Sequence, residues 1–362
     1  MKNFLRIYFI PGAVFQSIVV GGGYATGREI VEYFTRLGPL GGLFAIGLAF
    51  VIFALVLSLT FEIGRAFKAY DYRSFFKVLL GKNWFVYELV AVIMLLLTFA
   101  VLIAAATSVL EQRFTLPPWI AVVLVFGSIA ALEFYGRDVV MHVLAAWSFV
   151  LYAVFIVFVF RVLSVVPDGS SSAIFGGPVS SGWWLSGFKY ALYNMMVIPI
   201  VLYVSRSFET RSQAVGAGII AAAIAVIPAA LLHIAFCATD VNLLSEEIPV
   251  YAVMNFYSMP ILSIAFAIML IGTLIETGAG LIQGINERLD NQLFESGREP
   301  LGKLGHTLIA LGFLGIALCV STLGMIGIIA QGYGAMAWVF FVIYFLPLVS
   351  IGVWKLTRTG RT

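Results

Sequence analysis

The sequence predicts an all-α protein that crosses a membrane about ten times. Three observations predict it. Of 362 residues, 62% are hydrophobic and only 11% charged, with a mean hydropathy of +1.04. Apolar runs long enough for a spanning helix, about 20 residues, recur along the whole chain. Lysines and arginines gather in alternate connections between those runs. A soluble domain is about half apolar and a quarter charged, so lipid must be the solvent for most of this surface. Helix is required because a spanning segment has to satisfy its own backbone hydrogen bonds. The runs are continuous and do not alternate as barrel strands do.

The apolar segments fall at about 9–35, 40–64, 84–108, 117–135, 139–163, 183–205, 213–238, 258–284, 305–323 and 326–354. Lys2 and Arg6 precede the first run as in a signal peptide, but no small-residue cleavage site follows, so that run reads as a retained span. With the N-terminus in the cytoplasm, sixteen basic residues lie inside and only Arg36, Arg113 and Arg161 outside. Arg28 and Lys189 fall in the membrane. The positive-inside rule therefore places both termini in the cytoplasm, and we expect the bacterial inner membrane. The mixed segment Tyr70–Lys82 reads as an interfacial helix. The Gly- and Ser-rich stretch 166–182 reads as an outer linker, and Glu246–Asn255 as a second outer element with a short helix after Pro249.

The net charge of +3 is small and forms no patch, which excludes a nucleic-acid partner. Cys237 and Cys319 show no metal-binding spacing and offer no disulfide framework. The expected partners are a small-molecule substrate and membrane lipid; the oligomeric state stays open. The linker divides one transmembrane domain into halves of about 8–165 and 181–355, with five spans each. Five is odd, so the second half starts on the opposite side, and a shared fold makes the halves inverted copies. That arrangement typifies secondary transporters.

Span 1 contains Gly21-Gly22-Gly23-Tyr24-Ala25-Thr26-Gly27-Arg28-Glu29. Each glycine costs a helix about 1 kcal/mol against alanine, and polar residues follow at once. Irregular backbone at this depth is tolerated where it lines a cavity. The segment reads as unwound, against the alternative of a glycine face for close packing, whose glycines are usually four apart. Its counterpart, span 6, reads Lys189-Tyr190-Ala191-Leu192-Tyr193-Asn194 and continues to Pro199, which cannot donate to the helix ladder. Breaks at matching positions point to a transport site. We expect substrate at Gly21, Gly22, Gly23, Tyr24, Ala25, Thr26, Tyr190, Tyr193 and Asn194. Arg28, Glu29 and Lys189, with Glu32, read as an outer gate of ion pairs; the alternatives are that Arg28 and Lys189 attract an anionic group, or that these charges snorkel to water. His142 and His233 read as packed polar residues.

The run Phe9-Ile10-Pro11-Gly12-Ala13 leading into Gly21–Glu29 resembles the start of the YkvI-like family of bacterial membrane proteins. That family is similar to the amino acid–polyamine–organocation superfamily. The resemblance implies the LeuT-type fold of five plus five inverted spans, with helices 1 and 6 broken. It also implies a transporter, without naming the substrate.

On span 8, Thr273, Glu276 and Thr277 share one helix face, and an ionisable group at that depth is a functional candidate. Sodium-using carriers of the LeuT type place such a triplet opposite carbonyls of the first break. The resemblance thus implies a coupling site at Ile18, Gly21, Thr273, Glu276 and Thr277. The glutamate keeps a proton open as the coupling ion, and a structural pair with Arg28 is the third reading. No other cofactor is expected. The composite expectation is a cation-coupled carrier of a small organic solute, an amino acid or related compound, working by alternating access. The alternatives are a membrane-embedded enzyme, for which no nucleophile or metal motif is seen, and a channel, for which no filter repeat is seen.

Overall fold

A computed structural model describes residues 4–115, 117–135, 137–165, 176 and 179–359. Most of the expected 166–182 linker lies outside the described residues, as does the side chain of His142. Each predicted apolar segment has a helical counterpart. The first is divided into α1 (Ile10–Val19), α2 (Gly22–Ala25) and α3 (Arg28–Tyr33). Next come α4 (Pro39–Phe67), the short α5 (Tyr72–Leu80), α6 (Phe85–Phe114), α7 (Pro118–Tyr135) and α8 (Arg137–Val165). The second half follows with α9 (Trp183–Tyr193), α10 (Asn194–Ser207), α11 (Arg211–Cys237), the short α12 (Pro249–Phe256), α13 (Pro260–Glu295) and α14 (Lys303–Ser321). The last helical run, α15, spans Met325–Arg358. Among the described residues, seven helices are long and apolar enough to cross a membrane, α9 and α10 acting as one. No strand occurs among the described residues.

Local chemistry sets the helix ends. Pro39 opens α4 and Pro249 opens α12, where a missing N–H costs nothing. Asp71 caps α5 by accepting from the Ser74 amide at 2.9 Å, and Thr210 with Gln213 forms a reciprocal capping box on α11. The face of α5 bearing Phe75, Phe76 and Leu79 is buried, as an amphipathic helix lying along the bundle requires.

The packing is reciprocal. The first span packs on α11, and α9 packs on α4, while α4 and α11 lie against each other at the centre. Likewise α6 meets α14 and α13 meets α7; α8 meets α13 and α15 meets α6. These contacts map onto one another when the first five spans are exchanged for the last five, as an inverted repeat requires. The central helices approach closely because glycine permits it. A methyl group on Gly187 would overlap the Ala45 carbonyl, and one on Gly218 the Ser58 backbone. His233 fastens the start of α4, with Nδ1 3.1 Å from Thr35 Oγ1 and Nε2 2.9 Å from the Pro39 carbonyl.

Candidate functional site

The helical ladder of the first span stops at the triple glycine. The last bonds of α1 run from the Val20 amide to Gln16 O (2.9 Å) and from the Gly21 amide to Val19 O (2.8 Å). Val20 then leaves the helical region at φ −78°, ψ 68°, and Gly21 is extended at φ −86°, ψ −168°. Winding resumes with Ala25 N–H to Gly21 O at 2.8 Å. Among the described residues no hydrogen bond reaches the carbonyls of Ile18 and Val20 or the amides of Gly22, Gly23 and Tyr24. Each such group costs about 1–3 kcal/mol if buried without a partner. The segment is interrupted, and its glycines also pack closely: a methyl on Gly22 would lie 2.8 Å from both Leu102 and Leu274.

A second interruption follows at Gly27, whose φ of 82° suits glycine. Thr26 Oγ1 bonds back to Gly23 O at 2.8 Å, and the Thr26 carbonyl accepts from the Val250 amide of α12 at 3.3 Å. This turn sends the next two side chains in different directions. Arg28 goes to the 241–247 connection, with Nη1 donating to the carbonyls of Leu244 (2.8 Å) and Glu246 (3.2 Å), and pairs with Glu32 at 3.6 Å. Glu29 folds back against Gly23, only 4% exposed, and accepts from the Tyr193 hydroxyl at 2.5 Å. Arg28, Glu29 and Lys189 form no ion pair with one another among the described residues, so they are not brought together as a gate.

The sixth span behaves differently from a broken helix. From Asn194 it changes from four-residue to three-residue turns and keeps winding through Pro199 to Ser207. No residue at the junction is extended: Tyr193 sits at φ −69°, ψ −30° and Asn194 at φ −69°, ψ −10°. The expected gap is a tightening, because its spare carbonyls find donors. Asn194 Nδ2 serves the Tyr190 carbonyl at 2.9 Å, and the Tyr87 hydroxyl of α6 serves the Met196 carbonyl at 2.8 Å. Met196 O is the acceptor that Pro199, lacking an N–H, cannot reach in a three-residue turn. Tyr87 is itself stacked on Phe76 of α5 at 3.8 Å between ring centroids.

Between the two elements lies a cavity of about 40 Å³. The first span gives it Ile18, Val19, Gly21, Gly22 and Glu29; the sixth gives Tyr193, Asn194, Met196 and Val197. Thr277 and Leu281 of α13, Met94 and Thr98 of α6, and Tyr333 of α15 complete the wall. Of the expected residues, seven line it: Ile18, Gly21, Gly22, Glu29, Tyr193, Asn194 and Thr277. Gly23, Tyr24, Ala25, Thr26 and Tyr190 are packed behind it. Within the α13 triplet only Thr277 lines the wall; its methyl lies 3.9 Å from where a Gly21 side chain would begin. Thr273 Oγ1 bonds to Met269 O at 2.9 Å, and Glu276, 8% exposed, meets no ion-pair partner among the described residues. Arg28 is not its partner. Sequence reading missed Val19, Met94, Thr98, Met196, Val197, Leu281 and Tyr333. The Tyr193 and Tyr333 rings lie 4.9 Å apart, a contact within the second half that appears only when α9 and α15 pack.

No family model and no curated protein matches the chain. Solved structures do. A manganese transporter mutant from Eremococcus coleocola is 15% identical, covering 95% of this chain and 78% of its own, with a TM-score of 0.61. The same transporter in complex with an aromatic bis-isothiourea substituted compound gives 14%, 93%, 77% and 0.56. A Na+-coupled sialic acid symporter, in a substrate-bound outward-open state, gives 11%, 97%, 87% and 0.54. The likeness shows the fold. This chain is an all-helical, multi-pass membrane protein of the LeuT type, with the interrupted first span at its centre.

Proposed function

We propose that this chain is a cation-coupled secondary transporter of a small organic solute, an amino acid or related compound, working by alternating access. The observation that carries the reading is the interruption at Val20–Gly21, which leaves main-chain donors and acceptors beside a cavity walled by both halves. Helices broken next to a shared cavity are where carriers of this architecture bind solute and ion. The transport named for the structural neighbours supports the same reading. The halves, about 8–165 and 181–355, are the units that rock. A cavity of about 40 Å³ holds an ion or a few water molecules, so an organic solute enters only when the lining helices part.

In this reading substrate meets Gly21, Gly22, Tyr193 and Asn194, with Gly23, Tyr24, Ala25, Thr26 and Tyr190 shaping the surface behind them. The coupling ion, sodium or a proton, lies near Ile18, Gly21 and Thr277, with Thr273 and Glu276 on the same helix face behind the cavity wall. The chain sits in a bacterial inner membrane with both termini in the cytoplasm, and the first-span motif suits membership of the YkvI-like family. Uptake of a panel of labelled amines and amino acids into proteoliposomes, with and without an imposed sodium or proton gradient, tests it. Accumulation of one solute only under a gradient is the expected result. No gradient-driven accumulation across the panel, from protein that is folded and correctly inserted, overturns it.

A further inference from the structure

Among the described residues lining the cavity, Glu29 alone carries a formal charge. The other wall residues are apolar or bear hydroxyl or amide groups. The nearest cation in sequence, Arg28, is bound to the Leu244 and Glu246 carbonyls and to Glu32. The titratable groups around Glu29 are tyrosines: Tyr24 and Tyr33 of its own span, Tyr190 and Tyr193 of α9, and Tyr333 of α15. On α11, His233 is held by Thr35 and Pro39. The wall residues from α6 are Met94 and Thr98, and those from α13 are Thr277 and Leu281. Among the described residues, no lining side chain offers this buried carboxyl group a counter-charge.

Its hydrogen bonding adds a mechanical consequence. Glu29 belongs to the first half and Tyr193 to the second, and the Tyr193 hydroxyl donates to Glu29 Oε2 at 2.5 Å. An ionised acceptor makes a stronger bond than a neutral one. Adding a proton to the carboxyl therefore loosens a tie between the halves, and losing it tightens that tie.

We propose that Glu29 is the proton-binding group of this site, with Tyr193 the positioning residue that joins its charge state to the contact between halves. The carboxylate takes a proton from hydronium reaching the cavity through water: one hydronium O–H bond breaks, the carboxyl O–H bond forms and a water molecule is left. Release to water reverses this and returns the carboxylate to its tyrosine donor, with no change of oxidation state. This deepens the transport reading and rests on it for its purpose, but the protonation is measurable without a solute.

The test is infrared difference spectroscopy on the full chain in lipid, stepping the pH. The expected signature is a protonated-carboxyl C=O band that rises on acidification in the wild type. It is lost in Glu29→Gln, kept in Glu276→Gln and regained in Glu29→Asp. In Tyr193→Phe it moves to higher frequency, because the carbonyl loses its donor. A band unchanged by Glu29→Gln overturns the proposal, as does one abolished by Glu276→Gln or the absence of any titrating band. If Glu29→Gln does not fold, the frequency shift in Tyr193→Phe decides the matter. Solute uptake separates this proposal from the reading beneath it. A titrating Glu29 band without uptake of any solute sinks transport and leaves the proton site; proton-driven uptake that survives Glu29→Gln sinks the proton site alone.

Discussion

The first and sixth spans occupy equivalent places in the two halves, yet they depart from the α-helix in opposite ways. The first opens: Val20 and Gly21 leave the helical region, and five main-chain groups around them lack partners among the described residues. The sixth tightens: its turns shrink from Asn194 onward, and two carbonyls are met by Asn194 and Tyr87. Glycine and proline explain the contrast. Glycine admits extended backbone at little cost and supplies no side chain to cover what it exposes. Proline removes one donor but holds φ near the helical value, so the helix survives if another donor is found. The open element is the one suited to meet a ligand, and the tight one forms a firm wall opposite.

This contrast can be broken by substitution. The largest effect is expected from Gly23→Ala. A methyl there meets the Glu29 carboxyl and lies 3.0 Å from both Glu29 Cγ and Ile329 Cδ1. Overpacking of this kind costs about 1–3 kcal/mol, and displacing Glu29 should abolish gradient-driven uptake while the protein remains folded by circular dichroism. Uptake near the wild-type rate would mean that the packing around the break is slack.

Next comes Tyr87→Phe, which leaves the Met196 carbonyl unserved and should destabilise the protein by about 1–3 kcal/mol in a detergent unfolding assay. Adding Pro199→Ala restores a backbone donor for that carbonyl, so the double variant should recover part of the loss. A double-mutant cycle that is additive would show the two residues to be uncoupled. Asn194→Ala removes one neutral bond to the Tyr190 carbonyl and should cost about 1 kcal/mol. The smallest change is expected from Thr273→Val. Its hydroxyl bonds only within its own helix, to Met269 O and more loosely to Met269 Sδ at 3.5 Å, an arrangement that adds little to stability. Uptake should stay within about twofold, well short of the roughly tenfold that 1.4 kcal/mol represents. A larger loss would bring Thr273 back into the coupling site.

The membrane spans were legible because lipid demands long apolar helices, and hydropathy reports that demand directly. The first break was legible because three adjacent glycines have no use in a straight helix at that depth. The tightening of the sixth span was hidden, since the donor that rescues it, Tyr87, lies more than a hundred residues away and reaches Met196 only in the folded bundle. The fate of Glu29 was hidden too. Its position after Arg28 suggested an outer charge cluster, but the left-handed turn at Gly27 parts the two side chains, one to the 241–247 connection and one to the cavity. The signal for that is Gly27 itself, which the sequence alone presents as part of a glycine-rich run. Glu276 attracted attention as a lone acid on an apolar helix, yet of its triplet only Thr277 lines the cavity.

The central claim is that the helix is lost at Val20–Gly21 and retained through Asn194–Ser207. Solid-state nuclear magnetic resonance of isotope-labelled protein in lipid bilayers tests it directly, because backbone carbon shifts report φ and ψ. The account predicts non-helical shifts at Val20 and Gly21, flanked by helical shifts in α1, together with helical shifts for Met195 and Met196. Helical shifts running without interruption from Ile10 to Tyr33 would contradict it.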